Sequence, residues 1–250
     1  ARLQEIGPAV VDALLAAAET DEDLEVALRA RWIVDAIPME MGHDSPEVGA
    51  LLESYSGLPL GERVRVMQRL LRVDDDAGIE ALARLVRLER DPDGSRAAAA
   101  LIAGEWFPDD RWWPRIASLT AAGLAGGRRP PAAFLSALVN FSSAATPQAR
   151  ADALESARGA LGAMERPPGG DGRGPEAQAD AEPSEATRDL GRCLVRMLLA
   201  DGRRDEALAE ASRLLAPSLA EEVPLGAAST VDWLSSGTEN GLPELADRVT

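Results

Sequence analysis

The sequence has no lysine and very little of several other residues on which protein chemistry often depends. All 26 basic residues are arginine, and the chain has one cysteine, one histidine and 4% aromatic residues. Without lysine, a Schiff-base lysine and the phosphate-binding lysine of a P-loop are excluded. Because Cys193 stands alone, no internal disulfide can form, and a Ser-His-Asp triad would have to use His43. The arginine bias itself is typical of a GC-rich bacterial genome.

Long apolar runs are missing as well, and positive charge is outweighed by negative charge. No segment approaches the roughly 20 apolar residues that a helix needs to cross a bilayer. The net charge is −16, which opposes binding to nucleic-acid backbones and to anionic lipid surfaces. We therefore predict no nucleic-acid partner and no membrane insertion. We expect a soluble cytoplasmic or periplasmic protein, since a leader removed before Ala1 would leave no trace.

A short pattern built on Ala-Leu recurs in the first third of the chain. Val11-Asp12-Ala13-Leu14 is followed by Val48-Gly49-Ala50-Leu51 and by Ile79-Glu80-Ala81-Leu82, at spacings of 37 and 31 residues. Each copy precedes a polar break and a second helix-like segment. A two-helix unit that recurs at this length is typical of a stacked α-solenoid. The sequence therefore predicts an all-α fold, an α-solenoid of stacked antiparallel helix hairpins.

Helix signals and apolar spacing outline the individual units. In the first unit, the second helix follows an acidic break and should bury one side made of Leu24, Val26, Leu28, Ala30, Ile33 and Val34. The second unit begins at Ser45-Pro46-Glu47, and its partner helix should bury Val64, Met67, Leu70 and Leu71. The third unit spans about 75–105 and turns at Asp91-Pro92-Asp93-Gly94.

These features carry a resemblance to a known repeat. The opening Gly7-Pro8-Ala9-Val10-Val11, the acidic turn from Asp21 to Val26, and a second helix bearing Arg29 and Arg31 resemble a HEAT repeat. The resemblance covers about residues 5–105, and the first copy matches best. It implies helix hairpins that stack on their neighbours.

The pattern changes after residue 105. An aromatic junction from Trp106 to Trp113 leads into further helices predicted at about 114–125, 131–144 and 147–164. Residues 166–183 are rich in Pro and Gly and are predicted to form a flexible loop. The sequence thus divides into HEAT-like repeats at 1–105, a junction with further hairpins at 106–165, the loop at 166–183, and a helical segment at 184–250.

The last segment carries a second resemblance. Leu190-Gly191, Gly202, Asp205-Glu206-Ala207 and Pro217 resemble a tetratricopeptide repeat over about 184–217. The resemblance implies that the Gly and Ala positions let two helices approach closely before the chain turns. Two more helices are predicted at about 223–236 and from Leu242. As a whole the chain resembles bacterial HEAT/TPR proteins, a resemblance that implies no particular activity.

Two groups of residues are candidates for binding a protein or peptide partner. Trp106, Phe107, Trp112 and Trp113 concentrate aromatic side chains of the kind found in interface hot spots. The alternative is a structural plug between two helical arrays. Arg65, Arg69 and Arg72 share one face of a helix and could bind carboxylates or phosphate. The alternative is a solvated face paired with acidic neighbours.

Other chemically notable residues have a simpler interpretation. Met39, Met41, His43 and Asp44 match no metal-binding spacing, so a loop histidine is the favoured interpretation. Cys193 lies between apolar residues of a predicted helix, which indicates a packed thiol. Asp74-Asp75-Asp76 and Asp109-Asp110 could bind a cation or act as acid and base. Both stand at predicted helix starts, where carboxylates cap free N–H groups.

The residues favour a non-enzymatic scaffold that binds a protein or peptide partner on a helical-repeat surface. No cofactor, metal site or catalytic residue is predicted, and the oligomeric state stays open. One alternative is a structural module of a larger assembly. A less favoured one is a helical hydrolase that uses paired carboxylates.

Overall fold

The structure is a computed structural model that describes residues 13–18, 21, 23–35, 37, 39–108, 111–125, 127–165 and 184–215. Within these ranges the fold is all-α, and no strand occurs. Three of the predicted features lie outside the described residues: the loop at 166–183, the helices after 216 and the opening motif at 7–11. Residues 13–18 are helical, and the α-helices that follow are α1 Leu24–Asp35, α2 Pro46–Leu52, α3 Leu60–Leu70, α4 Ala77–Leu88, α5 Pro92–Gly104, α6 Trp113–Leu124, α7 Pro130–Ser143, α8 Pro147–Glu165, α9 Glu185–Ala200 and α10 Arg204–Leu215.

The helices begin where short polar side chains and prolines predict. Ser45 and Asp91 cap α2 and α5, each accepting a hydrogen bond from a backbone N–H of the first turn. Ser184 caps α9 in the same way. Proline in the first turn of α2, α5, α6 and α7 costs no intrahelical hydrogen bond there. The helices predicted at 114–125, 131–144 and 147–164 are therefore confirmed within a residue or so as α6, α7 and α8.

The packing has two parts. Through α7, alternate helices contact each other: α2, α4 and α6 pack in succession, and so do α3, α5 and α7. Then α8 packs along α7, and α9 returns to α5, a helix far earlier in the chain, while α10 packs along α9. As a result α5 contacts α3, α4, α7 and α9.

Small residues bring the helices of the core together. A Cβ built at Gly123 of α6 would lie 2.4 Å from the Glu80 carbonyl oxygen of α4, so these two helices touch through backbone. A Cβ at Gly191 of α9 would lie 2.7 Å from a Leu214 methyl of α10. Ala207 is fully buried in the same hairpin. The close approach implied by the Gly and Ala positions of the last segment is thus observed.

Helix α4 is enclosed, and its charged side chains hold neighbouring loops. Arg84 is buried, donates to the Met39 carbonyl at 3.1 Å, and pairs with Asp44 at 2.6 Å. Arg87 donates to the Ala125 carbonyl at 2.9 Å. Each guanidinium therefore links α4 to a connection between other helices.

A second polar cluster follows the end of α4. Glu89 is fully buried and accepts hydrogen bonds from the Tyr55 hydroxyl, from Arg63 and, at 3.1 Å, from the Asp91 N–H. Arg63 also lies 3.4 Å from the Asp91 carboxylate. Burial and the nearby Glu89 carboxylate raise the pKa of Tyr55 well above its ordinary value. We call this set of four residues the Glu89 cluster.

Two expectations about individual side chains were wrong. Leu24, Val26 and Leu28 are exposed, with Leu24 at 71%, whereas Ala30 and Val34 of the same predicted side are buried. Only the C-terminal part of α1 therefore faces the core. Asp76 occupies the N-cap position of α4 in a left-handed conformation and makes no side-chain cap. Its carboxylate instead pairs with Arg115 of α6 at 3.1 Å.

Candidate functional site

A long groove lies between α3 and α9, with α5 as its floor. Both α3 and α9 pack on α5, but the two are not packed extensively on each other. The space between them is a cavity of about 950 Å³ that opens to solvent. Because α9 comes from the end of the described chain, the groove joins residues more than a hundred positions apart in the sequence. We call it the α3–α9 groove.

Each of the three helices contributes one stripe of side chains to the groove. The stripe of α3 consists of Leu60, Val64, Gln68 and Leu71; that of α5 of Asp93, Ala97, Ala100, Leu101 and Gly104; and that of α9 of Glu185, Ala186, Asp189, Arg192 and Arg196. In every stripe the last residue lies 11 positions after the first. At 1.5 Å per residue the groove is about 16 Å long.

The three sides of the groove differ in chemistry. The α3 wall is mainly apolar, because Leu60, Val64 and Leu71 stand one or two turns apart on the same face. Three of the five floor residues, Ala97, Ala100 and Gly104, are small and leave space above α5. The α9 wall carries carboxylates and guanidinium groups. An occupant of this groove would meet an apolar surface on one side and charges on the other.

Phe107 lines the groove and belongs to the aromatic junction. Its ring is 53% exposed, and the Arg196 guanidinium lies over it, 4.9 Å from the ring centroid. Arg196 also donates to the Ala103 carbonyl at 2.8 Å. These contacts hold an aromatic ring at the surface beside the α9 wall.

The structure divides the aromatic junction into buried and exposed members. Trp106 is 2% exposed and meets Phe141 of α7 edge to face, with ring centroids 5.9 Å apart. Trp113 is 4% exposed at the start of α6. These two have the placement expected of a plug, whereas Phe107 and Trp112, at 58%, are exposed. Phe107 alone of the four lines the groove.

The arginine face of α3 stands beside the groove rather than in it. Arg65, Arg69 and Arg72 are exposed. Each comes directly after a residue that lines the groove, but none of the three arginines belongs to the lining. Arg65 pairs with Glu62 on the same helix. The two groups of candidate binding residues therefore do not line the same groove, because Phe107 is part of the lining and these arginines are not.

Negative charge prevails within the groove. Its arginines are engaged: Arg192 pairs with Asp189, and Arg196 holds Phe107 and the Ala103 carbonyl. Partial burial raises the pKa of Asp189, although the Arg192 guanidinium opposes that shift. Asp93 pairs with Arg96 at 2.7 Å. Two further carboxylates, Glu105 and Glu185, are exposed at the groove, and no ion pair of either occurs within the described residues.

The remaining chemically notable residues of the described part of the chain lie outside the groove lining. No group of three or more His, Cys, Asp or Glu side chains is placed to hold a metal ion. His43 is exposed, with Nε2 3.1 Å from a Glu80 carboxylate oxygen. Cys193 is buried as predicted, and burial raises the pKa of its thiol to about 11, which opposes thiolate formation at neutral pH. Asp109 and Asp110 lie outside the described residues. No helix within the described ranges has the length and apolarity to cross a bilayer.

Sequence reasoning missed most of the groove. The α3 stripe was visible as apolar residues at helical spacing, and Val64 and Leu71 of the predicted inner side are half-buried, packing against the core while they line the groove. The α5 floor had a signal in its run of alanines and the final Gly104. Nothing in the sequence indicated that α9 would lie beside α5. Comparison with known proteins adds no assignment: no family model, curated protein sequence or solved structure matches the chain.

Proposed function

We propose that this protein is a non-enzymatic scaffold that binds a segment of a partner protein in the α3–α9 groove. The observation that carries the proposal is the groove itself, an open cavity of about 950 Å³ with an apolar wall and an exposed aromatic ring. Exposed aromatic and apolar side chains in a concave surface are typical of binding sites.

The finer architecture is part of the same proposal. We infer a HEAT-like α-solenoid that passes into a tetratricopeptide-like hairpin at α9 and α10. Its support is the succession of α2, α4 and α6 and of α3, α5 and α7, since each repeat of a solenoid contacts the next one through equivalent helices. The return of α9 to α5 departs from a linear array and creates the groove.

The test is selection of a random peptide library on the full chain, followed by binding measurements on a blocked variant. Gly104 lies on the groove floor, is exposed, and has open space where a side chain would stand. Gly104→Gln therefore places a side chain on the groove floor, and its Cβ would meet no other atom within 4 Å. Gly159→Gln is the matched control, because Gly159 is also an exposed helical glycine with open space, but on α8.

The expected result is a set of peptides that bind the natural chain and Gly159→Gln equally and lose at least tenfold in affinity for Gly104→Gln, about 1.4 kcal/mol. Circular dichroism of both variants establishes that each is folded. A library that yields only peptides indifferent to Gly104→Gln would overturn the proposal.

One observation favours the alternative of a structural module in a larger assembly. Leu24, Leu28 and Trp32 form an exposed apolar strip on α1, and Trp32 is 73% exposed. A module fixed in an assembly would cover such a strip. Sedimentation of the chain and of Trp32→Ala tests this reading: self-association lost in the variant would support it, and a monomer in both would count against assembly through copies of this chain.

A further inference from the structure

We propose that the occupant of the α3–α9 groove is an amphipathic helix of about three turns whose apolar face is flanked by lysine or arginine. This inference rests on the proposed function and adds the class of partner. Its apolar stripe would lie against the α3 wall and the α5 floor. Its basic residues would lie near Glu105 and Glu185.

The spacing of the lining favours a helical occupant. The stripes of α3, α5 and α9 repeat at three- and four-residue intervals along about 16 Å. A bound helix presents side chains at the same intervals, so its ridges can lie between those of the walls. An extended peptide binds by forming hydrogen bonds with unpaired backbone groups, as at the edge of a sheet. All three sides of the groove are helices whose backbone hydrogen bonds are made within each helix, so they favour a helical occupant over an extended one.

The size of the groove favours a single helix. A helix of about three turns, taken as a cylinder about 10 Å wide and about 16 Å long, fills about 1,250 Å³. The open cavity of about 950 Å³ is therefore comparable in volume with one such helix and smaller than two. The small residues Ala97, Ala100 and Gly104 let its large apolar side chains reach the floor.

The charges favour a basic flank. Both arginines of the lining are already engaged, whereas the Glu105 and Glu185 carboxylates are exposed and have no ion pair among the described residues. A helix with acidic flanks would place like charges near these two groups. A basic flank would instead form ion pairs at the rim, which determine partner choice more than they add affinity.

The experiment uses three designed peptides of about 15 residues, long enough to form a helix on the protein. All carry leucine at i, i+4, i+7 and i+11. The first has lysine at the flanking positions, the second has glutamate there, and the third is the lysine peptide with two central prolines that prevent a helix. Fluorescence anisotropy measures the binding of each to the full chain.

The expected result is that the lysine peptide binds at least about tenfold more tightly than either of the others and loses its affinity in Gly104→Gln. Glu105→Gln with Glu185→Gln should weaken it about threefold to tenfold, as expected for two rim ion pairs. The matched control is Glu47→Gln with Glu53→Gln. Glu47 and Glu53 are the corresponding first-turn and C-cap residues of α2, and their change should alter affinity less than about twofold.

The outcomes separate this inference from the proposed function. Equal or tighter binding of the glutamate peptide overturns the basic flank, and equal binding of the proline peptide overturns the helix. If library peptides depend on the groove but the lysine peptide does not, the inference fails and the proposed function stands. If no peptide of either kind depends on the groove, both fail.

Discussion

The Glu89 cluster and the α3–α9 groove use similar residues, and they meet on adjacent positions of α3. Arg63 points into the cluster, where Glu89 is fully buried, and Val64 lines the groove. Both places combine carboxylates, arginine and an aromatic ring. In the cluster every one of these groups has a protein partner, whereas the groove leaves Phe107, Glu105 and Glu185 exposed.

The difference between the two regions is one of enclosure. Packing of α4 against its neighbours removes Glu89 and Tyr55 of the Glu89 cluster from water, so protein groups must satisfy them, whereas Asp91 stays partly exposed at the edge of the cluster. In the groove, α3 and α9 stay apart, and water or a partner can satisfy the same kinds of groups. We therefore expect substitutions in the cluster to change the free energy of unfolding and substitutions in the groove to change binding.

The largest effect is expected for Glu89→Ala. The change leaves the Arg63 guanidinium and the Tyr55 hydroxyl without their buried acceptor, which should cost about 3–5 kcal/mol of unfolding free energy. Urea denaturation followed by circular dichroism measures it. Glu62→Ala, which breaks the exposed pair with Arg65, is the control and should cost less than about 1 kcal/mol. Equal costs for the two variants would contradict the contrast between enclosed and open charges.

The aromatic junction provides the same comparison within two adjacent residues. Trp106→Ala removes a buried ring and its contact with Phe141, so we expect a loss of about 3–5 kcal/mol. Phe107→Ala removes an exposed ring and should change the unfolding free energy by less than about 0.5 kcal/mol. The same Phe107 variant should weaken groove-dependent peptides. A large unfolding effect of Phe107→Ala would show that this ring is structural.

A smaller effect tests the contact between α4 and α6. Gly123→Ala adds a methyl group where the Glu80 carbonyl oxygen would be 2.4 Å away, and we expect a loss of about 1–3 kcal/mol. Gly159→Ala, in open space on α8, should instead stabilise the chain by about 0.5–1 kcal/mol. Thermal unfolding of the pair gives both signs, and stabilisation by Gly123→Ala would refute the close packing.

The smallest effect on the free energy of unfolding at neutral pH is that of Tyr55 ionisation, which becomes measurable only at alkaline pH. Because burial and Glu89 raise the pKa of Tyr55 in the folded chain, the unfolded chain ionises first, near pH 10. Stability from this group is complete below that pH and falls as the pH rises, by about 1.4 kcal/mol at pH 11. Since Tyr55 is the only tyrosine, tyrosinate absorbance reports it alone.

The control for this titration is Tyr55→Phe, which should show a shallower alkaline loss than the natural chain. The loss that remains includes the buried thiol of Cys193, whose pKa is also raised. Tyrosinate absorbance that develops near pH 10 before unfolding would contradict the enclosure of the Glu89 cluster.

Local features of the fold were predictable because their causes are local. Pro130 and Pro147 mark helix starts, and apolar spacing placed Cys193 on a buried face. The burial of Leu24 was predicted wrongly, because periodicity shows that a helix has an apolar face but not whether another element covers it. Asp76 was expected to cap α4, and its pairing with Arg115 depends on α6 lying beside it.

The sequence by itself determined the all-α class, most helix bounds and the absence of lysine chemistry, since these depend on residue types and on neighbours a few positions away. Only the tertiary structure decided which polar groups are enclosed and which line a groove. The groove exists because α9 returns to α5 and stays apart from α3. That arrangement depends on how whole helix faces pack, a choice that no local pattern encodes.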